Sequence, residues 1–165
     1  MTHAEFAEPV RPWPRPDRER SGWQGGAVWS RAEGLRAWAF ADRPGPLRRR
    51  LTTLALSGSK VATAGLWEQG YVDEGEVIEE VGERQALLDD DGGVAAIIEV
   101  TRVETLGFSA VTWEFAQAEG EGFRSIEDWR ERHRAFFAEC GVDVDEETPI
   151  VCVWFRVLET RIPTD

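Results

Sequence analysis

The chain holds 165 residues, 42% hydrophobic and 30% charged, which fits one soluble globular domain and excludes a fibrous or disordered chain. Its net charge of −12 repels polyphosphate at long range, so it excludes a protein that coats duplex nucleic acid by charge alone. No apolar run approaches the roughly 18–20 residues of a membrane span, and the start MTHAEFAEPVRPWPRP lacks the apolar stretch of a secretory signal. The expected location is the cytoplasm.

The charge is uneven along the chain. Residues 1–50 carry ten arginines against six acids, whereas the remaining 115 carry nine bases against 25 acids. A basic front on an acidic body can hold one strand or one nucleotide locally. The two cysteines, Cys140 and Cys152, lack metal-ligand spacing, and His3 and His133 are the only histidines able to join them. No metal and no cofactor is expected, and both thiols read as reduced, partly buried small hydrophobes.

Residues 1–22 read as an extended solvated tail, with four of the eight prolines between Pro9 and Pro16 among arginines. Residues 23–165 form the domain. Asp42 is expected to cap a helix opening at Pro44 or Pro46. Leu47, Leu51 and Leu54 give that helix an apolar stripe, Arg48, Arg49 and Arg50 take the other face, and Gly58 ends it. VATAGLW after Lys60 reads as a strand. Residues 83–104 read as a hairpin, ERQALLD and VAAIIEVTRVE around DDDGG. A short helix is expected from about Ser109 to Gln117.

A longer helix starts at Ser125, which forms a capping box with Asp128. Its stripe is Ile126, Trp129, His133, Phe136 and Phe137, with Asp128 and Arg132 paired at i,i+4 and Gly141 at its end. PIVCVWFRVLE, residues 149–159, is almost continuously apolar and reads as a central strand. These elements show no βαβ rhythm. They predict an α+β fold, a small mixed or antiparallel barrel with two or three flanking helices.

Lys60 is the only lysine against eighteen arginines, which marks a position where arginine will not serve. Burial can lower a lysine's pKa and make it a base or a compact donor, while guanidinium stays charged. Thr63 follows three residues later, so Lys60 must sit in a turn if the two are to cooperate. A desolvated lysine can then take the proton of the weakly nucleophilic hydroxyl. Taken alone, Thr63 is an ordinary strand residue. Glu119 and Glu121 flank Gly120, and Arg124 sits before the helix, so this loop can offer carboxylates to a proton and an arginine to a phosphate. By itself the loop also reads as a solvated glycine-rich turn. His133 lies on the apolar stripe as a packing histidine. Trp38, Phe40 and Trp67 lie near the basic front and are candidates for a base-stacking face.

The blocks Gly58-Ser59-Lys60-Val61-Ala62-Thr63 (GxKxxT), FAQAEGEGFRSIEDWRERHRAFF at 115–137 and FAD at 40–42 together resemble the ASCH domain family of the PUA-like superfamily, over about residues 35–158. The resemblance implies a PUA-like barrel and binding of RNA or nucleotides. Some small members look like amidohydrolases of acetylated cytidine, which would make Lys60, Thr63 and Glu119 catalytic here. A longer member with attributed ribonuclease activity would place Lys60 and Ser125 in that role. The expected substrate contacts are Trp38, Asp42, Glu121, Arg124 and Ser125, in a cleft between the Lys60 turn and the Glu119–Arg124 loop. The implied partner is single-stranded RNA or a modified nucleoside or nucleotide, with neither membrane nor duplex DNA; the oligomeric state stays open. Three positions depart from the family pattern: Ser59 stands where a second lysine is common, Ala41 where a glycine is, and Phe123 where an aspartate is.

Overall fold

A computed structural model describes residues 22–161. The expected tail therefore lies outside the described residues except for Gly22. In chain order the elements are β1 (Ser30–Ala32), β2 (Leu35–Trp38), α1 (Pro46–Leu56), β3 (Ala62–Leu66), a π-helical turn (Glu68–Val72), β4 (Arg84–Leu88), β5 (Val94–Gly107), a 3-10 turn (Phe108–Ala110), α2 (Trp113–Ala118), α3 (Ile126–Glu139) and β6 (Pro149–Thr160). No helix among the described residues is long and apolar enough to cross a membrane.

The six strands form one mixed sheet in the order β1-β2-β4-β5-β6-β3, with β2–β4 parallel and every other pair antiparallel. The α+β class holds, but the sheet is open, which corrects the expected barrel. β1 and β3 are its two edges, and chain and cavity lie where a seam would close. After β3, the π-helical turn clasps the segment leading into β1. Glu74 accepts the Val28 and Trp29 backbone N–H groups at 2.6 and 2.9 Å, and Trp29 Nε1 donates to Gly70 O at 2.8 Å.

Residues 150–155 of β6 are buried on both faces, which explains the continuous apolar run there. Ile150, Cys152 and Trp154 pack with Phe108, Phe115, Trp129 and Phe137 beneath α2 and α3. Val151 and Val153 face Trp67 and Tyr71, and Phe155 joins Trp38, Phe40, Leu51 and Leu87 beneath α1. The two-residue period of a strand divides the core in this way.

Several sequence expectations shift by a residue or two. Helix α1 opens at Pro46, but its N-cap is Gly45, whose N–H donates to Asp90 Oδ1 at 2.9 Å. Asp42 lies too far before Pro46 to be the cap, and its carboxylate is paired with Arg43 at 2.8 Å. The buried residues of α1 are Leu51, Thr52 and Ala55, while Leu47 is exposed. Arg48 explains the rotation: its guanidinium turns back to donate to Phe40 O at 2.7 Å and Ala41 O at 3.3 Å, fixing that side of the helix inward. The helix expected from Ser109 divides into the 3-10 turn and α2, because Val111 leaves the helical path to enter the core. Ser125 caps α3 by accepting from Asp128 N, but Asp128 returns to Arg124 N rather than to Ser125 N. The β1–β2 hairpin was not expected. Its Glu33-Gly34 turn has φ of 56° and 78°, the paired positive angles that match the strand twist.

Candidate functional site

Lys60 is placed by the end of α1. Gly58 adopts φ +86°, its N–H reaches Ala55 O at 3.1 Å, and the Ser59 N–H reaches Leu54 O at 2.9 Å. This paired closure needs a left-handed residue at position 58, which accounts for the glycine. The chain then drops Lys60 into the interior, 1% exposed, just before β3 begins.

The EGEG loop arrives from the other side. Val61 N donates to Ala118 O at 2.9 Å, which joins the two segments. Gly120 has φ +66°, and a Cβ on it would lie 1.9 Å from Ser59 O. Only glycine permits this approach, and the approach delivers the glutamates on either side to the lysine.

Lys60 Nζ donates to Ala62 O at 2.8 Å, Glu119 Oε2 at 3.0 Å and Glu121 Oε2 at 2.8 Å. Those bonds engage all three ammonium protons. The Phe40 ring lies 5.2 Å from the same nitrogen. Glu119 is 2% exposed and spends its other oxygen on Trp129 Nε1, at 2.6 Å. His133 Nε2 stands 3.4 Å from that oxygen, its Nδ1 is 3.0 Å from Trp129 O, and its ring stacks on Trp129 at 4.1 Å. The packing role expected of His133 is met, and the ring also reaches the buried acid.

Two carboxylates sharing one ammonium separate in proton affinity. Burial works to raise Glu119, but the Lys60 charge, His133 and the Trp129 hydrogen bond reverse it and hold that carboxyl well below the usual range. Glu121 moves the other way. Burial raises it, the repulsion of Glu119 adds to that, and its share of Lys60 does not offset the two. The result is one acid held ionised beside one with heightened proton affinity.

A cavity of about 490 Å³ opens beside this cluster. Lys60, Thr63, Glu119, Glu121 and His133 line one part of it, and Trp29, Trp38, Phe40 and Phe123 supply aromatic wall. Thr63 is the second residue of β3 and lies on the strand face opposite buried Ala62, toward the cavity. Asp42 also lines it. Trp67 is buried in the core instead. Arg124 is 83% exposed and is absent from the lining, and the Ser125 hydroxyl is spent on capping α3.

The arginines that do border the cavity are Arg48, Arg50 and Arg132. Arg50 donates to Glu121 O at 3.1 Å, and Arg132 lies 5.6 Å over the Phe123 ring. Arg132 could be found in sequence from its place one turn after Asp128; Arg50 could not, since it touches the loop 71 residues away. The lining also holds Tyr71 and Glu79, which no motif marks. Among the described residues no group of three or more His, Cys, Asp and Glu could hold a metal ion. Both cysteines are buried, and burial pushes the Cys140 thiol up to about 11, away from nucleophilic use.

A family model described as the ASCH domain matches residues 36–159. The crystal structure of a protein from Enterococcus faecalis V583 is 31% identical with a TM-score of 0.66, covering 75% of this chain and 76% of that one. An ASCH domain from Lactobacillus crispatus JV V101 is 32% identical with a TM-score of 0.61, covering 74% and 79%. No curated protein matches the chain significantly. With a buried lysine after the GxK turn, an EGEG loop folded onto it and a family match over most of its length, the chain belongs to the ASCH domain family, whose members are generally RNA-binding.

Proposed function

We propose that the cavity binds one nucleotide, free or as a unit of single-stranded RNA. The observation that carries this reading is the joining, in one hollow, of aromatic walls, a buried lysine–diacid cluster and arginines at the mouth. Its volume of about 490 Å³ falls within the range of roughly 300–1,000 Å³ typical of small-molecule sites. Stacking on Trp29, Trp38 or Phe123 suits a base, which has two apolar faces and polar edges. Glu121 is the acid of the cluster with residual exposure, 14%, and accepts from sugar hydroxyls. Arg50 and Arg132 take the phosphate, which the acids would repel. Titrating the eight-tryptophan protein with nucleoside monophosphates and short single-stranded RNA tests this by fluorescence. Saturable quenching that weakens in Arg50→Gln is expected, and no saturable change up to millimolar ligand overturns the reading.

A second reading, hydrolysis of an N-acylated nucleoside, is favoured by one observation. Thr63 and two carboxylates of opposite proton affinity border the same cavity. In this reading Lys60 orients the acids rather than acting as base, because its protons are already engaged. Glu121 takes the Thr63 hydroxyl proton as Oγ1 attacks the acyl carbon, then returns it to the amine as the C–N bond breaks; water hydrolyses the acyl-threonine. Release of cytidine from N-acetylcytidine, lost in Thr63→Val, is the expected result. Turnover that persists in that variant rules the step out. Ribonuclease action through Lys60 and Ser125 has the least support, since the Ser125 hydroxyl is engaged as a helix cap.

A further inference from the structure

The cavity has a second polar wall that none of the motif residues provides. The π-helical turn Glu68–Val72 brings Tyr71 to the wall, and the extended segment after it returns Glu79 beside it. Tyr71 Oη donates to Glu79 Oε1 at 2.7 Å. The two residues are 5% and 6% exposed, and both line the cavity. Trp29 packs edge-on against the Tyr71 ring, with centroids 5.8 Å apart and planes at 63°. Val153 of β6 lines the cavity here as well.

A bond between residues 71 and 79 would fasten this segment whatever the acceptor. A carboxyl is a costly choice for that purpose alone, since burying it requires hydrogen bonds that replace its hydration. Burial raises the proton affinity of Glu79, as expected for an acid kept from water. It stands on the wall of a hollow rather than inside packed core, where a ligand can complete its shell. A carboxyl accepts through about four lone-pair positions, and the Tyr71 phenol and the backbone N–H of Glu79 itself take two of them.

We propose that Tyr71 and Glu79 form a base-reading subsite that selects a base bearing an exocyclic amine on its pairing edge, as cytosine and adenine do, over uracil. The inference rests on the nucleotide reading above and orients it. Arg50 is bonded to the Glu121 backbone, so the phosphate-binding arginines and the acid cluster adjoin. The phosphate lies at the arginines, the sugar at Glu121, and the base reaches toward Trp29, Tyr71 and Glu79. Cytosine turns an N4 amine to the carboxyl and makes a hydrogen bond. Uracil turns a carbonyl to it, acceptor against acceptor, and leaves a buried polar pair unmatched.

The test compares cytidine and uridine monophosphates, which differ at that edge and little in size. The wild-type chain is expected to bind the cytidine nucleotide about tenfold or more tightly. Glu79→Gln keeps an acceptor for Tyr71 but adds an N–H donor, so the ratio should fall toward one or invert while binding persists. Thermal unfolding checks that the variant folds. Should it not fold, Tyr71→Phe, which releases the carboxyl from its phenol, must change the ratio instead. Equal wild-type affinities, or a ratio unmoved in the folded variant, overturn the base-reading subsite alone. Failure of both nucleotides to bind the wild type overturns the nucleotide reading itself, and the subsite with it.

Discussion

Two clusters in this molecule have nearly the same parts and different consequences. Each places one cation between two glutamates and a backbone carbonyl, over an aromatic ring. Arg36 donates twice to Glu83, at 2.7 Å from both Nε and Nη2, and once to Val77 O at 2.7 Å; Glu76 lies 3.4 Å away and Trp29 lies beneath. The planar fork matches both oxygens of one carboxylate. Burial opposes ionisation of Glu83, yet the Arg36 hydrogen bonds prevail and hold it low. Lys60, a point charge, instead divides itself between Glu119 and Glu121. One acid is held low and the other is left raised. The arginine cluster is a strut. The lysine cluster stores an acid of altered proton affinity at a cavity wall, a division of charge that suits a compact ammonium better than a planar fork.

Removing each cation is the most forceful way to break the comparison. Lys60→Met leaves Glu119, 2% exposed, without its main counter-charge, and should cost about 3–5 kcal/mol. Arg36→Met should cost less, about 1–3 kcal/mol, because Glu83 and Glu76 are 24% and 17% exposed and keep access to water. Urea unfolding at neutral pH measures both. Equal losses would show that the lysine cluster is no more than a second strut.

The next effect concerns the raised acid. The folded chain holds the Glu121 proton more tightly than the unfolded chain, whose value is the ordinary 4.5. Its ionised form therefore detracts from stability at neutral pH, and the penalty fades as pH falls through the folded value toward 4.5. Glu119 has the opposite sign, contributing stability above 4.5 that is lost as pH falls further. Glu121→Gln should raise the unfolding midpoint at pH 8, with the gain shrinking toward pH 4.5. A gain independent of pH would remove charge coupling as its cause.

Much of this site is legible in sequence because it is built from local rules. Gly58, Ser125 and the helix stripes announce where the chain turns, and the scarcity of lysine singles out Lys60. The spacing could not show that Gly120 touches Ser59 or that Glu119 meets Trp129, because those contacts depend on how distant elements pack. Tyr71 and Glu79 sit in a π-helical turn and an extended segment without hydrophobic periodicity, so nothing local marks them. The barrel expectation failed for a related reason. A strand pattern gives pairing partners, whereas closure depends on what fills the gap between the edge strands, here residues 68–74 and the cavity.

The smallest effect separates the turns beside the two clusters. Each is bordered by a turn containing a non-glycine residue at positive φ, Glu33 at 56° in the hairpin that carries Arg36 and Ala41 at 63° next to Phe40, whose ring lies against Lys60. A left-handed non-glycine residue costs about 1–2 kcal/mol, and a new glycine returns about 0.4–1 kcal/mol of that through the freer unfolded chain. Ala41→Gly places at this positive φ the residue that adopts it without strain and should stabilise by about 0.5–1 kcal/mol, or about 1–4 °C in Tm for a chain of this size. Glu33→Gly should gain less, because its carboxylate is paired with Arg161 and the substitution discards that bond. If Ala41→Gly brings no gain, the Arg48 hydrogen bonds to Phe40 O and Ala41 O already stabilise this turn enough to absorb its strain, and the lysine cluster is bordered by a turn as settled as the one that carries Arg36.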